Sequence, residues 1–202
     1  MPLHRLSISL LTGASLLLIV GLPFLPDPFQ TEHYYGRSIA GPAPDFLLHD
    51  VQQRPVRLSD YRGKFVYLMF GYLGCEDICH NQALTFYNLN RQIPSERVQF
   101  LYIGMDPKHD TADRIAVYFD ARGANFTGLL ADDQQHAQQV ASGYRAYFSY
   151  QPIRSDGIPR INHPGYIYLI DPQGELKLVY SGGSLSLERM IDDLNMMAVH
   201  LT

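Results

Sequence analysis

The chain has 202 residues and a formal net charge of −4 at pH 7, a length that suits one globular domain with an appended segment. Hydrophobic residues make up 46% of it, and the 14 tyrosines and 10 phenylalanines can fill a sizeable core. No run of lysine or arginine marks a surface for nucleic acid, so the composition argues against a nucleic-acid-binding protein.

The N-terminal segment differs from the rest of the chain. Residues 6–25 are uncharged and mostly apolar, and the run is long enough to cross a bilayer as one helix. His4 and Arg5 precede the run and Asp27 follows it, which predicts a cytoplasmic N-terminus and a domain on the far side of the membrane. The alternative is a cleaved signal peptide, whose apolar region is only about 7–15 residues long and ends in a small-residue cleavage site. We therefore predict that residues 1–26 are a membrane anchor or an uncleaved signal.

The predicted location is the inner membrane of a bacterium, crossed once, with the domain on its periplasmic side. An organelle is disfavoured because the N-terminus lacks the arginine-rich and serine-rich character of a transit peptide. Residues 27–44 are rich in proline, glycine and polar side chains and predict a linker. The predicted domain then covers residues 45–202.

The domain begins with two short predicted strands, residues 45–48 and 56–58, around a turn. Three apolar runs rich in β-branched and aromatic residues predict strands buried inside a sheet. They span residues 65–70, 98–104 and 166–170, and a hairpin partner follows at 176–180.

Four segments are predicted to form helices, and they lie mostly between those strands. The first begins between residues 75 and 78 and ends near 91, and the next two span 111–121 and 133–144. Apolar residues at helical spacing from 187 to 201 mark the fourth. Their predicted caps are Asp110 or Thr111 for the second helix, Asp132 for the third and Ser184 for the fourth.

The chain order of these elements predicts the fold class. Helices between apolar strands cover both faces of a sheet. A pair of cysteines stands at the first junction from strand to helix. We therefore predict an α/β protein with a thioredoxin-like fold, in which a central mixed sheet is flanked by helices, together with the N-terminal transmembrane helix.

Cys75 and Cys79 are the only cysteines and are too close in sequence to staple distant segments. Residues four apart on a helix share a face, with Cβ atoms about 5–6 Å apart. Two sulfurs placed in this way can converge on one metal ion, or approach disulfide distance with some strain. The start of a helix also favours the thiolate, which is both a metal ligand and a nucleophile. The residues alone leave both chemistries open.

Two thiolates leave most metal ions short of a ligand, and imidazole is the natural third donor. His163 lies just before the predicted strand at 166–170, in the loop that faces the cysteine loop of a thioredoxin-like fold. The alternative is that His163 only caps the end of that strand. His80 offers an extra or alternative ligand, but the favoured interpretation is that it points elsewhere, because adjacent helical residues do not share a face with each other.

Asp106 and Asp110 allow two interpretations. They could accept hydrogen bonds from a ligand histidine, or they could serve turn and helix-cap chemistry, which the preferences of aspartate favour. His109 between them is expected to be solvated.

Three segments, in order, resemble signatures of the SCO/SenC family of copper-binding assembly proteins. They are FGYLGCEDIC at 70–79, DPKHDT at 106–111 and NHPGYIYLIDP at 162–172. The resemblance covers about residues 40–200 and implies a thioredoxin-like domain behind a membrane anchor.

The resemblance also implies a function and a ligand set. Copper, as Cu(I) or Cu(II), would be held by Cys75, Cys79 and His163. The protein would help to assemble the copper centre of cytochrome c oxidase, with the copper-site subunit of that enzyme or another cuproprotein as partner. The alternative is an envelope thiol–disulfide oxidoreductase that reduces a partner's cysteines through Cys75 and Cys79 and can dispense with His163. A cis Pro164 packed against Cys75 would favour that alternative.

The chain departs from the family pattern near the expected site. Glu76 and His80 stand where prolines are usual, and Asn162 replaces the aspartate before the ligand histidine. The negative charge of Glu76 is expected to raise the pKa of the thiols slightly.

Overall fold

The structure is a computed structural model that describes residues 33–75, 78–152 and 160–200. The elements below all belong to one compact unit, Tyr34–Thr202. Within the described ranges, none of the helices has both the length and the apolar character needed to cross a bilayer. The predicted membrane span at residues 6–25 lies outside the described residues.

The described chain contains ten strands and four α-helices. The strands are β1 (Arg37–Ser38), β2 (Leu47–Asp50), β3 (Pro55–Arg57), β4 (Phe65–Gly71), β5 (Val98–Gly104), β6 (Phe126–Leu130), β7 (Ser149–Gln151), β8 (Arg160–Asn162), β9 (Tyr166–Ile170) and β10 (Leu176–Ser181). The helices are α1 (Ile78–Asn90), α2 (Ala112–Tyr118), α3 (Gln134–Gly143) and α4 (Leu187–His200). Short 3-10 turns occupy Leu58–Tyr61 and Asp120–Arg122.

Eight strands form one mixed sheet in the order β1-β10-β9-β4-β5-β6-β2-β3. The strands β4, β5 and β6 run parallel, whereas β9 is antiparallel to β4 and β2 is antiparallel to β6. The strands β7 and β8 form a separate antiparallel pair. The mixed α/β architecture predicted from the sequence is thereby confirmed.

The central strand β4 is buried at every residue, as expected for a strand that helices cover on both sides. On one face, Tyr67 packs against Phe86 of α1 and donates a hydrogen bond of 3.2 Å to the carbonyl of Met190 in α4. On the other face, Phe70 packs against Tyr144, which directly follows α3. The sheet is therefore flanked by helices on both faces, as predicted.

Strand β6 was not among the predicted strands. Gly128 lies at its centre and weakens the strand pattern in the sequence. The reason for this glycine is tertiary, because a Cβ at residue 128 would overlap the side chain of Ile115 in α2. The missing side chain allows α2 to lie close on the sheet.

Helix α2 is shorter than the predicted span 111–121, because its last turn tightens into the 3-10 turn Asp120–Arg122. The hydroxyl of Thr111 accepts a hydrogen bond from the backbone N–H of Arg114 at 3.4 Å. Of the two predicted caps, Thr111 is therefore the cap and Asp110 is not.

Two other predicted caps were wrong by one or two residues. Helix α3 is capped by Asp133 rather than Asp132, because Asp133 has the extended backbone of a cap and accepts a 2.8 Å bond from the N–H three residues on. Helix α4 is capped by Ser186 rather than Ser184, since the Ser186 hydroxyl accepts a 3.4 Å bond from the N–H three residues on. In both cases the cap is the polar residue nearer to the first helical turn.

The segment predicted as a linker, residues 27–44, contributes to the sheet in its described part. Strand β1 pairs with β10, and the backbone N–H groups of Tyr35 and Gly36 donate to the carboxylate of Asp193 in α4 at 2.8 and 2.9 Å. A side chain at residue 36 would meet Tyr180 on β10, at 2.8 Å from Cβ, so glycine is needed for this approach. From Tyr35 onward the chain is therefore held on the domain.

Candidate metal centre

Three predicted residues meet at one edge of the sheet. Cys75 lies in the loop after β4, Cys79 in the first turn of α1, and His163 in the loop between β8 and β9. The pairing of β4 with β9 is antiparallel, so the end of β4 lies beside the start of β9 and brings the two loops together. The ligand atoms of the three residues all lie within 4.8 Å of one another.

The two sulfurs are buried and are not joined in a disulfide. The backbone N–H of Cys79 points at the sulfur of Cys75, with an N···S distance of 3.4 Å. The pKa of the Cys79 thiol is raised, first by a hydrogen bond with the Cys75 side chain and then by burial and by the nearby charge of Cys75. A metal ion bound here must displace the proton of Cys79, so binding strengthens as pH rises.

The hydrogen bonds of His163 orient its imidazole toward the sulfurs. Nδ1 lies 3.0 Å from the carbonyl oxygen of Pro164, and Nε2 lies 3.5 Å from the sulfur of Cys79. A carbonyl oxygen only accepts, so Nδ1 carries the proton, and the neutral ring has its lone pair on Nε2. Tyr72 holds the ring edge-on at a centroid distance of 5.7 Å. The lone pair of His163 Nε2 is therefore available to bind a metal ion.

Glycines at two positions allow the site to close. A Cβ on Gly71, the last residue of β4, would lie 3.2 Å from the sulfur of Cys79. A Cβ on Gly165 would overlap the side chain of Ile78, so only glycine lets the His163 loop lie against the start of α1. The bond before Pro164 is trans, since the described residues contain no cis peptide. The condition that would have favoured the oxidoreductase alternative is therefore not met.

Asp110 holds the cysteine loop from a distant part of the chain. Its side chain is buried, and both carboxylate oxygens lie 3.1 Å from the backbone N–H of Leu73, which donates to them. Asp106 is also buried and accepts from Nδ1 of His109 at 2.9 Å. His109, which was expected to be solvated, is thus paired as well as half-exposed. Neither aspartate forms a hydrogen bond or ion pair with His163, whose bonds go to Cys79 and Pro164, so their support of the site is indirect.

The Asp110 contact leads to a prediction about pH. Burial raises the pKa of Asp110 to about 7, while the unfolded chain keeps its ordinary value, so ionisation costs folding free energy between about pH 4 and 7. Asp110→Asn keeps an acceptor for Leu73 but cannot ionise. We expect the metal-free variant to gain about 2–3 kcal/mol over the wild type between pH 4.5 and 7.5.

Urea unfolding of both full-length proteins at the two pH values measures this difference, and other titrating groups cancel between them. An equal stability gap at pH 4.5 and 7.5 would show that Asp110 is ionised throughout this range.

Two other residues near the cysteines departed from the family pattern in the sequence. His80 lies outside the group of donor atoms, as expected, and bonds to the backbone of Cys75 rather than to a metal ligand atom. Glu76 lies outside the described residues. The contact of Asp110 with Leu73 and the role of Gly71 were not predicted, because no local pattern in the sequence signals contacts made across the fold.

The donor set is two thiolates and one imidazole. Soft thiolate ligands select Cu(I), and imidazole also accommodates Cu(II). Zinc could use the same three atoms and would keep a fourth position for water. The residues therefore fit a copper ion, and their burial keeps bulk water from the sulfurs.

Comparison with known proteins identifies the family of the chain. The family model described as SCO1/SenC matches residues 38–199. The protein "SCO2 homolog, mitochondrial" of Bos taurus is 34% identical over 154 residues, which cover 74% of this chain and 57% of that protein. The chain thus spans little more than half the length of this curated relative.

Solved structures agree with the sequence matches. Apo Sco1 of Thermus thermophilus is 27% identical with a TM-score of 0.71, over 83% of this chain and 99% of that one. ScoI of Bradyrhizobium japonicum, solved with copper bound, is 25% identical with a TM-score of 0.67, over 77% of this chain and 99% of that one. The predicted family and the thioredoxin-like α/β domain are confirmed, and the chain belongs to the SCO1/SenC family.

Proposed function

We propose that the protein is a copper-binding chaperone that helps to assemble the copper centre of cytochrome c oxidase. The observation that carries the proposal is the convergence of Cys75, Cys79 and His163, whose donor atoms lie within 4.8 Å of one another. Copper is present in the similar ScoI structure of Bradyrhizobium japonicum. The assembly role comes from the family resemblance, and so does the partner, the copper-site subunit of the oxidase or another cuproprotein.

Copper is the cargo in this proposal, and the chain's own groups prepare the site for it. Cys79 gives up its proton when the ion enters, and the lone pair on Nε2 of His163 completes the donor set. Three protein ligands leave the ion able to accept a thiolate or imidazole of a partner. Transfer can then proceed by exchange of one ligand at a time.

The membrane anchor is part of the proposal. The apolar run at residues 6–25 would hold the domain on the periplasmic side of a bacterial inner membrane, near a membrane-bound oxidase. Reporter fusions at both ends of the chain test this. A periplasm-active reporter that works at the N-terminus would contradict the orientation.

Copper titration tests the function directly. The full-length protein, reduced and metal-free, should bind one equivalent of Cu(I) in competition with a chromophoric Cu(I) chelator. Cys75→Ser and Cys79→Ser should each lose at least about a hundredfold in affinity, because each removes one of only two thiolates. Zn(II) titrated in parallel is the metal control. Cu(I) binding that survives both substitutions, or retention of zinc alone, would contradict the proposal.

A further inference from the structure

A cavity lies at the end of the sheet that β1, β10 and β9 form, on the face against which Tyr144 packs. Arg37 on β1 pairs with Val179 on β10, and Val179 pairs in turn with Tyr168 on β9. Residues directly opposite each other in an antiparallel pair share a face, so these three side chains form one row across the floor. The volume of the cavity is about 410 Å³, which lies in the range of small-molecule sites.

Hydrogen bonds fix the aromatic part of the cavity. The hydroxyl of Tyr144 donates to the carbonyl of Pro44 at 2.7 Å, and the hydroxyl of Tyr168 donates to the carbonyl of Tyr144 at 2.9 Å. The rings of Tyr144 and Tyr168 lie edge-on with centroids 5.3 Å apart, and Tyr166 lies edge-on to Tyr168 at 6.1 Å. These walls are therefore formed before a ligand enters, which lowers the cost of ordering on binding.

The charge of the cavity is one-sided. Arg37 and Arg145 line it, whereas no aspartate or glutamate of the described ranges does. Neither guanidinium forms a hydrogen bond or an ion pair with another described residue. The chain as a whole carries a net charge of −4, so these two charges do not belong to a generally basic surface. Guanidinium groups bind the oxygens of carboxylates and phosphates through paired hydrogen bonds.

Arg145 occupies a backbone position that favours glycine. It follows α3 with φ at +56°, in the left-handed region. Its N–H donates to the carbonyl of Ser142, and the N–H of Ala146 donates to the carbonyl of Ala141, both at 2.9 Å. This is the Schellman motif, in which the left-handed residue is usually glycine because a Cβ is disfavoured there. The end of the helix therefore does not require an arginine, although Arg145 lines the cavity.

We propose that this cavity binds a small organic anion. Arg37 and Arg145 hold the carboxylate or phosphate group of the ligand, and the tyrosine rings contact its apolar body. A bare phosphate or acetate ion would fill only a small part of the cavity, which is why the ligand is organic. None of the lining residues is a donor of the candidate metal centre, so the inference does not depend on the proposed function.

Titration of the metal-free, full-length protein with benzoate and with phenyl phosphate tests the proposal. In protein labelled with ¹⁵N-arginine, the side-chain Nε–H signals of Arg37 and Arg145 should shift together along one saturable curve. Benzyl alcohol has the ring without the charge, and inorganic phosphate has the charge without the ring. Each should bind at least about tenfold more weakly than the better anion, because each lacks one of the two contacts.

Each outcome of this titration decides something. Binding of one aromatic anion and not the other supports the proposal and identifies the charged group as a carboxylate or a phosphate. The absence of a saturable shift with both anions would overturn the proposal. So would inorganic phosphate that binds as tightly as phenyl phosphate, since the cavity would then recognise charge alone.

Two substitutions separate a role in binding from a role in folding. Arg37→Gln and Arg145→Gly should each weaken binding of the better anion by at least about tenfold, because each removes a charged donor. Arg145→Gly also relieves the left-handed backbone, so its midpoint of urea unfolding should equal or exceed that of the wild type.

Gln53→Gly is the matched control. Gln53 is exposed, has φ at +62° and lies outside the cavity. Its replacement should likewise not lower the urea midpoint, and the variant should bind the anion like the wild type. Unchanged affinity in both arginine variants would contradict the proposal. A urea midpoint that falls in Arg145→Gly but not in Gln53→Gly would also contradict it, because the arginine would then serve the fold.

Discussion

Replacing His163 by alanine should weaken Cu(II) binding by at least about a hundredfold, while Cu(I) stays bound through the two thiolates. Loss of a group that only orients a metal ligand already costs about 10–100-fold in affinity, so loss of a ligand costs at least the upper end of that range. Cu(II) depends more on nitrogen donors than Cu(I) does, which is why the two oxidation states should separate.

The contacts of His163 allow the result to be assigned to ligation rather than to folding. The ring packs against Tyr72 and bonds to its neighbour's carbonyl, but it lies in a loop and is only partly buried. Its removal should therefore leave the thermal unfolding of the metal-free protein close to that of the wild type. The affinity is measured by competition titration, and the thiolate-to-Cu(II) absorption band reports the geometry of the site.

A matched control is available in another partly exposed histidine. His136 in α3 pairs with Asp132 and lies outside the donor group, so His136→Ala removes one imidazole without touching the site. This control should bind both oxidation states like the wild type. If His163→Ala binds Cu(II) as tightly as His136→Ala does, His163 is not a copper ligand. That conclusion would hold even if the two cysteines bind copper.

Elements with a strong local pattern could be predicted from the sequence. The apolar runs of β4, β5 and β9 and the apolar spacing of α4 appear in the chain itself. The cysteine pair was visible for the same reason. His163 required one further step, the knowledge that its loop and the cysteine loop share an edge of the fold.

Features that depend on contacts between distant segments could not be predicted. Strand β6 is short and contains Gly128. The glycine leaves room for the side chain of Ile115, which a Cβ at residue 128 would overlap. The bond from Leu73 to Asp110 joins residues 37 positions apart. Asp110 is of a residue type that often caps helices, and it stands just before one. Only the tertiary structure shows that its carboxylate faces the cysteine loop instead.

Gly71→Ala should damage the fold and the metal site together. The added Cβ would lie 2.8 Å from Cε2 of Tyr102 on β5 and 3.2 Å from the sulfur of Cys79. Neither neighbour can move freely. Tyr102 is fully buried against Phe119, with ring centroids 5.4 Å apart. The backbone is also held, because the carbonyl of Gly71 accepts from the next loop, the N–H of residue 105, at 2.7 Å.

Overpacking of a rigid core typically costs 1–3 kcal/mol, so we expect the metal-free variant to lose about that much free energy of unfolding. The shift of the Cys79 sulfur should also lower the affinity for Cu(I) by tenfold or more, since ligands must be placed to within about half an ångström. Urea unfolding of the metal-free protein measures the first effect, and competition with a Cu(I) chelator measures the second.

Gly183→Ala is the matched control, because Gly183 is exposed and a Cβ there would have no heavy atom within 4 Å. The same chemical change should be nearly neutral at that position. A Gly71→Ala protein as stable as Gly183→Ala would mean that the Tyr102 ring yields to the new methyl group. Lower stability with unchanged Cu(I) affinity would mean that the methyl group strains the contact with Tyr102 but leaves the Cys79 sulfur in place. Only the loss of both supports the conclusion that Gly71 is kept free of a side chain by the core and by the metal site at once.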